Sequence, residues 1–191
     1  VSRSVWSPVS LAVLCAGAGY ARPTRRLADR ITESVCGVLA AGGVQVEVEV
    51  LELGRLAPDL AQRVARGQAS LDLREAIAVV VAADGLVVAT PVVATSPSDV
   101  FASFFDILRG GVLSGMPVLL AANSGSRWQP PDIGQVLRGR LTGLHAEPVA
   151  TVVVAGPEDW EAPAHGVAAR LRGRIDQAAA EFAAVLISRA R

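Results

Sequence analysis

The chain has 191 residues, 51% of them hydrophobic and 19% charged, with 18 basic and 18 acidic side chains. That composition builds a sizeable globular core and excludes a disordered chain, while zero net charge excludes a general binder of nucleic acid or of anionic membranes. Every basic residue is arginine, so Schiff-base chemistry and a lysine-based phosphate loop are excluded as well.

Residues 1–8 read as a loose arm. Val9 to Ala16 is nearly all apolar and reads as a first, buried strand. A glycine-rich turn, Gly17-Ala18-Gly19-Tyr20-Ala21, follows it. Helical periodicity then runs through Leu27, Ile31, Val35 and Leu39 to Gly42-Gly43, with Pro23 suited to a first helical position. Val44 to Val50 alternates strictly, which predicts a sheet-edge strand with one face near solvent.

Residues 54–70, punctuated by Pro58 and Gly67, read as loop plus a short helix. Leu71 to Ala83 reads as a helix leading into a strand at Leu86 to Ala89. Pro91 lacks an N–H and is expected to stop that strand. Ser98 is a good N-cap for the next helix, which carries Val100, Phe101, Phe104, Phe105 and Leu108 at helical spacing. The three phenylalanines read as core. Met116 to Ala122 is another buried strand, and Pro130-Pro131 opens a helix through Ile133, Val136, Leu137 and Leu141. Val149 to Ala155 is the fifth strand, and residues 164–189 form a closing helix.

Cys15 and Cys36 are far apart, with no Cys-x-x-Cys motif, and read as reduced core thiols. His145 and His165 are isolated, so no metal site is expected. Leu11 to Cys15 is too short for a signal peptide, and no run approaches the ~18 apolar residues of a membrane span. The chain is expected to be cytoplasmic and to form one domain over residues 1–191.

Strands alternating with helices imply an α/β fold, a five-stranded parallel sheet covered on both faces, with order 2-1-3-4-5. In such sheets ligands bind beyond the carboxyl ends of the strands. Three loops, 17–25, 91–98 and 123–129, should converge there. The first ends at a helix N-terminus, which offers an anion its backbone N–H groups, the dipole and the Thr24 hydroxyl, with Arg22 and Arg25 adding charge. The other two carry small residues that let backbone approach a flat ligand. Asp84, Asp99 and Asp106 read as caps and turns, and no acid/base residue is expected. Trp128 is open between a ligand and a subunit contact, and Trp160 between a sheet-edge cap and a subunit interface.

Gly17 to Asp29, Ala82 to Val92, Ser103-Phe104-Phe105-Asp106 and Leu113 to Leu120 together resemble the NAD(P)H-dependent FMN reductases of flavodoxin-like fold. Glu158-Asp159-Trp160 resembles a late motif of a subgroup that partners luciferase-like monooxygenases. The resemblance spans nearly the whole chain and implies a flavodoxin-like three-layer sandwich. It also implies FMN and NAD(P)H as cofactors, a flavin-dependent monooxygenase as possible partner, and a homodimer or homotetramer in which a neighbouring subunit completes the flavin site. Gly17, Arg22, Thr24 and Arg25 would hold the phosphate. Pro91, Val92, Val93, Ala94 and Ser96 would meet the isoalloxazine, and Asn123, Ser124, Gly125 and Ser126 its other edge.

All three ligand loops depart from that pattern. Arg22 and Pro23 stand where serines donate hydroxyls to the phosphate. Pro97-Ser98-Asp99 and Ala102 replace a Tyr-Ser-Gly run ending in lysine, and Ser124 to Gln129 replaces a Gly-Gly-Thr run with a downstream Arg-His pair. Asp99 is the largest change, since a carboxylate ~4 Å from an anion is repelled by ~4 kcal/mol at an effective dielectric of ~20. A second expectation therefore stands beside the first. It is a relative that has lost flavin and uses the cleft for another small molecule, or a non-catalytic monooxygenase subunit.

Overall fold

The computed structural model describes residues 8–17, 22–108, 111–126, 132–160 and 168–190. The loose arm, the middle of the glycine-rich turn, Trp128, Pro130-Pro131 and His165 lie outside the described residues.

In chain order the elements are β1 (Val9–Cys15), α1 (Arg22–Ala41), β2 (Val46–Glu52), α2 (Ala57–Arg66), α3 (Leu71–Ala82), β3 (Gly85–Val93), β4 (Ser96–Pro97), α4 (Asp99–Ile107), β5 (Pro117–Ser124), α5 (Ile133–Gly143), β6 (Glu147–Pro148), β7 (Val153–Ala155) and α6 (Ala169–Ala190). The sheet order is β2-β1-β3-β5, with the short strands β6 and β7 both on β5. All these pairs are parallel, as the buried apolar runs predicted. β2 occupies the edge, where Glu47, Val48, Glu49 and Val50 are exposed.

Strand alternation divides the core into two layers. Leu11, Val13, Val87, Ala89, Leu119 and Ala121 face α1 and α6, while Leu14, Leu86, Val88, Leu120 and Ala122 face α3, α4 and α5. The phenylalanines Phe101, Phe104 and Phe105 lie fully inside the second layer. Cys15 and Cys36 are free thiols. Among the described residues no helix is long and apolar enough to cross a membrane.

Three sequence expectations are corrected. β3 does not stop at Pro91 but runs to Val93 and turns back as the antiparallel β4. The Ala89 carbonyl points toward β1, accepting from Ala16 N at 2.8 Å. Two residues on, Pro91 points the same way, beyond the last β1 residue, so its missing N–H leaves no partner unmet. Residues 54–70 hold more helix than expected: a 3-10 turn at Leu53–Leu56 and then the ten-residue α2. Pro58 lies in the first turn of α2, and Gly67 ends it at φ 76°.

The fifth strand is split. Between β6 and β7 the backbone leaves the ladder, and side chains take over its hydrogen bonding. Arg138 donates to the carbonyls of Pro148 (3.2 Å) and Ala150 (2.7 Å), and Arg174 to that of Val152 (2.8 Å). Glu181 on α6 accepts from both Thr151 N (2.8 Å) and Thr151 Oγ1 (2.7 Å).

Burial alone would raise the Glu181 carboxyl, but the Thr151 and Gln177 donors and the charge of Arg138 hold it below its ordinary value of 4.5. A depressed carboxylate contributes stability above its unfolded-state pKa, and that contribution is lost as pH falls through the folded value. Wild-type stability should therefore fall with acid below about pH 4.5 more steeply than that of Glu181→Gln, measured by urea unfolding at stepped pH. Parallel pH profiles would show that Glu181 does not clamp this segment.

Candidate functional site

Sheet register carries the loops to one end of the molecule. Cys15, Ala89, Ala121 and Val153 form one row across four strands. Two residues on, Pro91 pairs with Asn123 and Asn123 with Ala155, and Gly17 stands two residues beyond Cys15. By alternation this upper row projects to the α1 and α6 face. There α1, a 20-residue helix, starts at Arg22 with no acidic residue in its first turn. The positive end of the helix dipole thus sits beside the row.

The second loop is a tight hairpin. β3 and β4 pair as Val92 with Pro97 and Val93 with Ser96, and Ala94 turns the corner at φ 55°. Val93 is 60% exposed, and Ala94 and Ser96 are exposed beside it. Below the tip, Ser98 binds the site together. Its hydroxyl donates to the Ala16 carbonyl (3.0 Å), accepts from Phe101 N as the cap of α4 (3.3 Å), and lies 3.3 Å from the Thr90 hydroxyl. The Ser98 amide also donates to Thr90 Oγ1 at 3.2 Å. The first and second loops are thereby fixed to each other through a buried hydroxyl pair.

The third loop leaves β5 at Ser124, whose hydroxyl donates to the Ser126 carbonyl (2.9 Å) and accepts from Ser126 N (3.2 Å). Gly125 and Ser126 are exposed, and Asn123 is 7% exposed. Trp160 donates its indole N–H to Asn123 Oδ1 at 3.0 Å. The Arg26 guanidinium stands 5.0 Å from the Trp160 ring centroid. Trp160 therefore faces inward to the third loop, partly buried against α1 and α6.

Several individual placements differ from a simple anion cradle. Thr24 is buried. Arg25 is already paired with Asp29 and Glu52, each at 2.7 Å. Its guanidinium is raised above an already high pKa, chiefly by the Asp29 hydrogen bond. Asp99 is exposed in the first turn of α4, where water and salt screen its charge. Burial raises the Cys15 thiol, although the Gly17 amide and Arg25 offset part of the rise. Burial thus disfavours its thiolate form.

Asp84 accepts from Ser10 N at 2.8 Å, and Asp106 pairs with Arg140, both structural roles. Among the described residues no group of His, Cys, Asp and Glu is arranged to hold a metal ion. Thr90 and Asn123–Trp160 are the elements that sequence reasoning left unconnected. The capping signature of Ser98 was readable; its second and third partners were not.

These residues suit a phosphorylated aromatic ligand: a helix N-terminus free of carboxylates, a hairpin of small side chains, and amide and hydroxyl groups at the third loop. A family model described as NADPH-dependent FMN reductase matches residues 9–161. The chain is 30% identical over 177 residues to the NADH-dependent FMN reductase SfnE of Pseudomonas putida, covering 91% of this chain and 94% of that protein. It is also 30% identical over 149 residues to an FMN reductase (NADPH) of Pseudomonas aeruginosa, covering 78% of each. The crystal structure of an oxidoreductase from Corynebacterium diphtheriae superposes with a TM-score of 0.87 at 36% identity, covering 95% of this chain and 98% of that one. With its flavodoxin-like sheet and with sequence similarity that runs from the first strand through Trp160, the chain belongs to the NADPH-dependent FMN reductase family.

Proposed function

We propose that the protein is an NAD(P)H-dependent FMN reductase that supplies reduced flavin to a flavin-dependent monooxygenase. The observation that carries this reading is that the sheet register brings the carboxylate-free start of α1 and the 91–98 hairpin to the same, carboxyl end of the sheet. Hydride acceptance at the isoalloxazine N5 is the chemistry FMN supplies when bound, so the protein's task is to hold two rings and exclude water.

In this reading Gly17, Arg22, Thr24 and the first amides of α1 hold the phosphate. Arg25 contributes less, because Asp29 and Glu52 already offset its charge. Pro91, Val92, Val93, Ala94 and Ser96 line the ring plane, and Asn123, Ser124, Gly125 and Ser126 its other edge. Residues 1–191 serve this site as one cytoplasmic domain. The exposed Val93 at the hairpin tip supports contact with a neighbouring subunit in a homodimer or homotetramer. The oxygenase partner rests on the Glu158-Asp159-Trp160 resemblance.

FMN titration of the purified protein, read by flavin fluorescence quenching, tests the proposal. Micromolar or tighter binding is expected. Arg25→Ala should weaken it by less than about threefold, since a partly exposed, already paired charge is worth little. No binding at high micromolar FMN would instead favour a flavin-free relative or a non-catalytic subunit, as the replacement of serines by Arg22 and Pro23 would then imply.

A further inference from the structure

The Glu158-Asp159-Trp160 segment follows the last strand, and its own chemistry includes no group that reacts with flavin or nicotinamide. It is nevertheless built with care. Asp159 is 1% exposed, and its carboxylate accepts from Gly156 N at 2.9 Å. The turn is closed by Asp159 N to the Gly156 carbonyl and Trp160 N to the Pro157 carbonyl, both 3.1 Å. Arg170 of α6 lies 3.4 Å from Glu158 Oε1 and from both Asp159 carboxylate oxygens. Ala168 N adds a bond of 3.0 Å to the Asp159 carbonyl. Asp159 and Arg170 thus set a rigid turn whose last residue is Trp160.

What that turn delivers is a single hydrogen bond. The indole N–H can only donate, so at 3.0 Å it requires Oδ1, not Nδ2, of Asn123 to face it. The side-chain amide then has one orientation. Its Nδ2 is left as a donor at the carboxyl end of β5, and no described residue accepts from it. Asn123 occupies the same row and face as Pro91, beside the first turn of α1, where Arg26 covers the outer face of the Trp160 ring.

We propose that Trp160 is a positioning residue that fixes the Asn123 amide so that Nδ2 donates to an acceptor atom of the bound flavin. The inference rests on the FMN-binding reading above. Without the indole N–H the amide rotates freely between two orientations, one of which turns Oδ1 toward the flavin acceptor and repels it. Arg26 and the Asp159 turn hold the ring; the N–H selects the rotamer.

Trp160→Phe keeps an aromatic ring at the turn beside Arg26 while removing the indole N–H, with a loss of packing volume that the melting temperature reports. Its FMN dissociation constant should rise about twofold, since an amide free between two orientations is binding-competent about half the time. Asn123→Ala should weaken binding by about tenfold, the scale of one lost hydrogen bond to a buried acceptor. The double variant should be no weaker than Asn123→Ala alone, because Trp160 acts through Asn123. A flavin-free readout accompanies these titrations. In a ¹H–¹⁵N spectrum of the apo protein, one of the three tryptophan indole N–H signals should be protected from solvent exchange, and that signal should vanish in Trp160→Phe.

Binding by Trp160→Phe equal to or tighter than that of wild type, or additive losses in the double variant, would overturn the inference and leave the FMN reading standing. Failure of wild type to bind FMN would overturn both. A melting temperature of Trp160→Phe close to wild type is expected and separates a rotamer effect from loss of fold.

Discussion

Phe182→Ala should destabilise the protein by about 3–5 kcal/mol, the cost of emptying a fully buried aromatic site. Phe182 is 0% exposed on α6 and lies over the first residue of β3. A Cβ at Gly85 would come within 2.7 Å of Phe182 Cζ and 2.9 Å of Leu186 Cδ2. Glycine is required there for space; the close approach leaves no room for a methyl group. Gly85→Ala should therefore cost about 1–3 kcal/mol by overpacking. The two changes are coupled in a defined direction. In Gly85→Ala/Phe182→Ala the new methyl group enters the space the ring vacated, so the double variant should lose clearly less than the sum of the single losses. Urea unfolding of the four proteins checks this, and additive losses would show that Gly85 and Phe182 do not constrain each other.

The same contact shows which parts of the fold were legible in the sequence. Leu86 to Ala89 and Met116 to Ala122 read as central strands because both of their faces are apolar, and the structure buries both. The alternation of Val44 to Val50 marked an edge, which β2 occupies. Ser98 announced the start of α4 because capping is a local event, settled within three residues. The failures share the opposite cause. Whether Pro91 breaks β3 depends on where β1 ends across the sheet, and no local pattern encodes that. The gap between β6 and β7 is invisible because Arg138, Arg174 and Glu181, on the helices either side of it, satisfy its backbone.

Within the candidate site the loops themselves were readable and their wiring was not. Arg25 beside a helix N-terminus suggested a phosphate ligand, yet its partners Asp29 and Glu52 take two of its donors. One of those partners is 27 residues away, so only the fold reveals the competition. Trp160 was equally undetermined until β5 placed Asn123 against it. Asp99 looked like the worst obstacle to an anionic ligand. The structure turns Ser98 inward and leaves Asp99 in water, which weakens the objection without any compensating charge.

Ser98 is accordingly the residue whose loss should damage the site most. Ser98→Ala removes one hydroxyl but three interactions: the cap on Phe101 N, the bond to the Ala16 carbonyl and the contact with Thr90. Loss of a cap alone costs about 1 kcal/mol. A buried carbonyl left without its donor adds about 1–3 kcal/mol. The expected total is about 2–4 kcal/mol, measured by urea unfolding. Because Ala16 precedes the first ligand loop and Thr90 precedes the second, the damage should also appear in FMN binding, weakened by roughly tenfold or more on the scale of one buried bond. Asp99→Gly provides the contrast. It removes an exposed first-turn charge from the neighbouring position and should shift stability by no more than about 1–2 kcal/mol, from the dipole and helix-propensity contributions. FMN affinity should stay within a few-fold of wild type, because water already screens that carboxylate. A large gain in affinity for Asp99→Gly, with none lost in Ser98→Ala, would mean that charge at the entrance and not the buried hydroxyl pair governs the cleft.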